Sequence, residues 1–304
     1  MRDAGHCEGK PKIFIVFGMP RTGTTYLYHA LSRHPEIFVP YRKESHYFSV
    51  NYSKGQDWFA SLYEGVPADR IAADINPMYY LDPLADDRVL AYDPDVKVVL
   101  GVREPTDFAI SLYGNMLAHG HDVPPITQVV RDYDWPLTPH ESLRFSLGDG
   151  FLQRRVEHLR ARFGANLMLY DFAYFDASPL PVMQAIEQLL GLQPWFDASN
   201  HQNVRINASG RRNPFLLNTL LANQRVLDVL YAIVPRAIVR QARRAYERLS
   251  ARAPDARPPA GEGPGAIDAA TRQALDAYFE GDARYYRSLF ANGPILLPGA
   301  STPA

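Results

Sequence analysis

Cysteine is all but missing from this chain: Cys7 is the single copy in 304 residues. One thiol excludes an intrachain disulfide and leaves no cysteine-rich zinc site, so disulfide scaffolds and zinc-finger modules drop out. The same scarcity fits a reducing, cytoplasmic setting. Long apolar runs are missing too. No stretch approaches the roughly 20 apolar residues that cross a bilayer, and no charged segment followed by an apolar run opens the chain, which leads to the expectation of a soluble protein. An excess of positive charge is also lacking. A formal net charge of −1 excludes a globally basic nucleic-acid binder, so any site for a polyanion has to be local and no nucleic-acid partner is expected. What the chain has is bulk. With 46% hydrophobic residues over 304 positions it can bury one large core, so an α/β domain with appendages is expected.

Residues 12–31 organise the rest. Ile13 to Phe17 read as a buried strand, a loop with Gly18 and Gly23 follows, and Leu27, Ala30 and Leu31 then share one face of a helix. A glycine loop entering a helix gathers backbone N–H groups at the positive end of the helix dipole, which makes an anion site suited to phosphate. Gly18 and Gly23 have the separation of the Gly-x4-Gly-Lys-Ser/Thr loop of ATPases and GTPases. Thr24, however, stands where the lysine belongs, and the cation comes earlier, at Arg21. A nucleotide kinase needs that lysine and usually an acidic metal ligand, so its absence points to a phosphate site with different chemistry. The alternative is a strand-to-helix turn whose glycines are incidental.

A second strand-loop-helix unit spans residues 96–113. Its apolar run ends at Val102, Pro105 and Asp107 mark a helix start, Arg103 sits at the strand exit, and Ser111 lies about two turns into the helix. Ligands of open parallel sheets sit beyond the carboxyl ends of the strands, so Arg103 and Arg21 are expected to face one crevice. Between the two units, residues 41–48 are expected to be extended. Glu44, His46 and Phe48 would then point to one side, with a solvated charged turn as the alternative. Residues 71–80 read as a strand broken at Pro77, with Asp74 and Asn76 at a site edge and Tyr79 in the core or at the rim.

Residues 114–150, which include His119, lack a clear period and read as a variable insertion of loops on the substrate side or as a structural cover alone. A helix over 150–163, a strand over 167–171 and a helix over 180–190 capped by Gly191 follow. The polar loop 203–213 carries Arg205, Gly210, Arg211 and Arg212, which suit a phosphate clamp or a solvated basic loop. Residues 223–252 mix apolar side chains with arginines, a pattern that lies on an anionic membrane or packs on its own domain. Residues 253–265 read as a Pro/Gly-rich surface loop, and 268–289 as one final helix. The expected boundaries are a disordered leader at 1–10, one domain over 11–290 and a tail at 291–304.

Together these pieces resemble the sulfotransferases that use 3′-phosphoadenosine 5′-phosphosulfate (PAPS), in particular bacterial members with motifs like those of the heparan sulfate and Golgi types. Residues 18–25 are similar to the family's 5′-phosphosulfate loop, and Arg103 with Ser111 to its 3′-phosphate pair. Residues 43–48 resemble the Lys/Asn-Glu-x-His-Phe-Phe segment of the heparan sulfate type, whose glutamate is the catalytic base. Residues 207–211 are similar to a late loop that closes over the 3′-phosphate. The resemblance covers residues 12–289 and is thinnest over 114–150.

It implies an α/β, P-loop-NTPase-like parallel β-sheet flanked by helices in a single domain. It also implies a PAPS-dependent enzyme that sulfates a hydroxyl of a small molecule, lipid or sugar, in secondary or glycolipid metabolism and without a metal. Arg21, Thr22, Gly23, Thr24, Thr25, Arg103, Ser111, Gly210, Arg211 and Arg212 would bind the donor. Glu44 and His46 would act with Arg21 in catalysis, and Asp74, Asn76, Tyr79 and His119 would meet the acceptor. Two departures stand out. Asp74-Ile75-Asn76-Pro77 replaces the family's Glu-Lys-Thr-Pro, removing a lysine near the reacting sulfate, and Arg21 replaces the usual loop lysine. A P-loop kinase or NTPase, and a non-catalytic membrane-associated module using 223–252 as a peripheral contact, are the rival classes.

Overall fold

Short runs of Ile, Val, Leu and Phe build a sheet around the N-terminal strand. The computed structural model describes residues 10–67, 69–118, 121–131, 133–138, 141–148, 150–201 and 266–298. Residues 1–9 of the leader, His119, the clamp Gly210, Arg211 and Arg212, the basic stretch 223–252 and the loop 253–265 all lie outside the described residues.

In chain order, β1 (Ile13–Val16) leads through the glycine loop into α1 (Thr24–Leu31). Then come β2 (Ile37–Phe38), α2 (Gly55–Ser61), β3 (Ile71–Ile75), α3 (Ala85–Tyr92), β4 (Lys97–Val102) and α4 (Pro105–Ala118). A short α5 (Ile126–Val129) and an antiparallel pair, β5 (Tyr133–Thr138) and β6 (Glu141–Phe145), precede α6 (Phe151–Phe163), β7 (Leu167–Asp171), α7 (Phe172–Ala177) and α8 (Leu180–Leu190). The last elements described are α9 (Ala269–Tyr278), α10 (Glu280–Leu289) and β8 (Ile295–Leu296).

Six strands form the main sheet in the order β2-β3-β1-β4-β7-β8, parallel throughout except for β8. Helices cover both faces, so β1 is buried along its whole length and reads as a continuous apolar run. Side-chain alternation divides it between two cores. Ile13 and Ile15 pack with Phe108, Phe151 and Phe279, while Phe14 and Val16 pack with Leu27, Met168 and Met183. After β1 the chain builds the β2-β3 side and then crosses to the other flank of β1 at β4. The reversal leaves a crevice beyond the carboxyl end of β1, where the glycine loop sits.

Three expectations are corrected. Residues 114–150 are not all loop: α4 runs on to Ala118, and α5 and the β5–β6 pair follow, with a register irregularity at Pro136 that hides the strand period. The final helix is two helices. Phe279 leaves helical geometry (φ −98°, ψ 13°) and buries its ring 5.7 Å from that of Phe151, and Asp282 in α10 then accepts the N–H groups of Leu152 and Gln153 at the start of α6. Residues 291–304 are not simply a tail, because β8 pairs with β7 and covers that edge of the sheet.

Candidate active site

Positive φ angles at Gly18 (35°), Arg21 (69°) and Gly23 (82°) fold the loop after β1 back over the end of the sheet. It is held to β4 by Phe17 N–H donating to Val99 O at 2.9 Å and Met19 N–H to Gly101 O at 3.2 Å. Thr22 Oγ1 donates to Met19 O at 2.6 Å, and the buried Tyr170 hydroxyl donates to Thr22 O at 2.7 Å. Gly23 caps α1 in the left-handed conformation, and a Cβ there would fall 2.3 Å from the Phe175 ring. Only glycine fits. The amide of Leu27 donates to Gly23 O at 3.0 Å, and the start of α1 presents the positive end of its dipole to the loop.

Arg103 and Ser111 come to this loop as the sequence implied. Arg103 Nη1 donates to Arg21 O at 3.2 Å, its guanidinium lies 4.9 Å from the Phe172 ring centre, and Arg21 Nε reaches Ser111 Oγ at 3.5 Å. Burial lowers the pKa of both arginines; for Arg103 the Asp107 charge opposes that shift and the Arg21 charge adds to it. Two half-buried cations are thus held close together. Among the described residues, the buried Arg103 Nε and Thr106 Oγ1, the latter in the first turn of α4, find no hydrogen-bond partner. Asp107, whose charge acts on Arg103, accepts a hydrogen bond from Arg272 at 2.9 Å. Half-buried like charges with a buried N–H left over fit an anion with several acceptor oxygens, as a phosphate has.

Residues 41–48 are not a strand. The segment bends, His46 takes φ 52°, and Phe48 turns into the core, so Glu44 and His46 meet for a different reason than side-chain alternation. The Glu44 carboxylate lies 3.7 Å from His46 Nε2, near enough for charge to act but beyond a direct hydrogen bond. Burial lowers the His46 pKa, and the Glu44 charge opposes that shift. His46 Nδ1 is buried and finds no partner among the described residues. Lys43 was not singled out by the sequence, yet its Nζ donates to Glu44 Oε1 at 2.5 Å and to Thr24 Oγ1 at 3.3 Å. The candidate base therefore sits against the start of α1.

Asp74 and Tyr79 lie beneath this segment, not at its rim. Asp74, on β3 opposite Ile15, accepts from Ser45 Oγ at 3.0 and 3.1 Å and from the Tyr79 hydroxyl at 2.8 Å, and that hydroxyl accepts Phe48 N–H at 3.2 Å. Both residues are fully buried, which replaces their expected acceptor contact with support of residues 44–48. Burial pushes the Asp74 carboxyl up to about 7, against the opposing pull of the Tyr79 and Ser45 hydrogen bonds. Asn76, also fully buried, donates to Val16 O, caps the turn after β3 by accepting Met78 N–H, and leaves Nδ2 unpartnered. Ser45, missed from the sequence, was detectable only as the polar residue between Glu44 and His46.

A glycine loop joining the middle strand of a parallel sheet to a helix defines the P-loop class of α/β folds. The family model for the sulfotransferase domain matches residues 10–194, more than half of the chain, and the protein belongs to that family. It is 31% identical over 188 residues to the human heparan sulfate glucosamine 3-O-sulfotransferase 3B1, covering 59% of this chain and 46% of that protein. It is 28% identical over 224 residues to a bifunctional heparan sulfate N-deacetylase/N-sulfotransferase from Drosophila melanogaster, covering 64% of this chain and 21% of that protein. The chain thus spans about half the length of these curated relatives, or less. Among solved structures, a sulfotransferase from Alicyclobacillus acidocaldarius aligns with a TM-score of 0.47 at 19% identity, over 63% of this chain and 88% of that one.

Proposed function

We propose that this protein transfers the sulfuryl group of PAPS to a hydroxyl of a small-molecule, lipid or sugar acceptor, releasing adenosine 3′,5′-bisphosphate. The observation that carries this reading is the meeting of Arg21, Arg103 and Ser111 at the glycine loop, together with Lys43 joining Glu44 to Thr24 at the start of α1. The names of the relatives, heparan sulfate sulfotransferases, favour a sugar-like acceptor.

PAPS supplies an activated sulfuryl group: the acceptor oxygen bonds to sulfur as the sulfur–phosphate oxygen bond breaks, and that electron pair stays on the phosphate. The amides of the loop and of the first turn of α1, with Arg21, stabilise the charge gathering there, an electrostatic role in a site poor in water. Arg103 and Ser111 hold the 3′-phosphate, and Gly210, Arg211 and Arg212 join them by the motif alone. Glu44 takes the proton of the acceptor hydroxyl, with His46 as orienting neighbour or alternate base. Asp74, through Ser45 and Tyr79, fixes the segment that carries both.

Nucleotide selectivity tests this reading. Calorimetry should show adenosine 3′,5′-bisphosphate binding well ahead of ATP with magnesium, since only the former fills the Arg103 side of the site. Preference for ATP with magnesium would replace it with the kinase reading.

A further inference from the structure

Lys43 spans the gap between the donor loop and the candidate base. Its ammonium bonds both Thr24 Oγ1, on the first residue of α1, and Glu44 Oε1, and its side chain is 13% exposed. Arg103 bonds the Arg21 carbonyl, and Arg21 reaches Ser111; neither contact involves Glu44 or Thr24. The cations are therefore divided, with two arginines toward the phosphates and one lysine toward the proton acceptor. β3 supplies none, because Ile75 is packed into the core. A group passing from the loop to an acceptor deprotonated by Glu44 crosses the space that Lys43 borders.

We propose that Lys43 contacts the sulfuryl oxygens of PAPS, and that this contact draws its ammonium away from Glu44, leaving the carboxylate able to accept a proton. The inference rests on the PAPS reading above. A carboxylate paired with an ammonium at 2.5 Å is a poor base, since the pair stabilises its charged form. A sulfuryl oxygen near Thr24 offers that ammonium a second acceptor. Donor loading would then precede activation of the base. The reacting bonds are those already given: acceptor oxygen to sulfur forms, sulfur to phosphate oxygen breaks, and the hydroxyl proton ends on Glu44.

The test is binding, so it needs no acceptor. The full chain, as wild type and as Lys43→Met, is titrated calorimetrically with PAPS and with adenosine 3′,5′-bisphosphate, which differ by the sulfuryl group. Loss of one charge-assisted contact predicts a drop of about tenfold or more for PAPS, with the bisphosphate changed by less than about twofold. Retained bisphosphate binding also reports that the variant is folded. Glu44→Gln removes the competing carboxylate and should tighten PAPS relative to the bisphosphate. Unchanged PAPS affinity in Lys43→Met, or equal weakening of both ligands, overturns the assignment. A wild-type chain that binds neither ligand refutes the PAPS reading itself.

Discussion

Arg103 donates from Nη1 to the backbone carbonyl of Arg21 at 3.2 Å, so the residue at the exit of β4 braces the loop that follows β1. Its Nε is buried and finds no partner among the described residues, which suits it to an acceptor oxygen of a ligand. Arg103→Ala should weaken adenosine 3′,5′-bisphosphate by about ten- to a hundredfold, the size of a lost charge-assisted bond. Adenosine 5′-phosphosulfate, which lacks the 3′-phosphate, should lose less. Equal losses measured by calorimetry would leave Arg103 with bracing alone.

Glu44 lies 3.7 Å from His46 and in contact with Lys43. Glu44→Gln should retain PAPS binding while transfer falls on the order of 10²–10⁴, the range for lost general-base catalysis. Turnover close to normal would move the base to His46, whose pKa, lowered by burial, favours the neutral imidazole that a base requires.

Asp74 links the site to stability. Its carboxyl is raised to about 7 from an unfolded value of 3.8, so between those pH values the folded chain holds more protons than the unfolded one. The contribution is greatest below about pH 4 and is lost as pH rises through about 7. Urea unfolding at pH 5 and pH 8 should show this fall in wild type, and Asp74→Asn, which cannot ionise, should flatten it. An unchanged slope would mean that Asp74 titrates as an ordinary carboxylate.

Three cations, Arg21, Lys43 and Arg103, surround the loop, and the transferred sulfuryl carries less charge than a γ-phosphoryl. Fixed cations can therefore do the electrostatic work that magnesium does in a kinase. Addition of EDTA should leave the transfer rate unchanged; an enzyme silenced by EDTA and restored by magnesium would contradict this.

The sheet was legible in the sequence because β1, β4 and β7 are continuous apolar runs, a pattern that only strands covered on both faces require. Gly18, Gly23, Arg103 and Ser111 were legible because spacing alone carries them to one end of that sheet. Lys43 was not, since its role rests on a contact with Thr24, nineteen positions away, that no local period encodes. Asp74 looked like a rim residue because carboxylates are seldom buried, and only the hydroxyls of Ser45 and Tyr79 explain why this one is. The break at Phe279 and the pairing of β8 depend in the same way on distant partners, Phe151 and β7.

Sulfuryl transfer itself is most directly tested by incubating the protein with PAPS carrying a labelled sulfuryl group and a cell extract of the source organism. Label should leave PAPS for a discrete product identified by mass as a sulfate ester, with adenosine 3′,5′-bisphosphate formed in equal amount and the signal lost in Glu44→Gln. Label that stays on PAPS, in a chain shown to bind PAPS, would contradict the account.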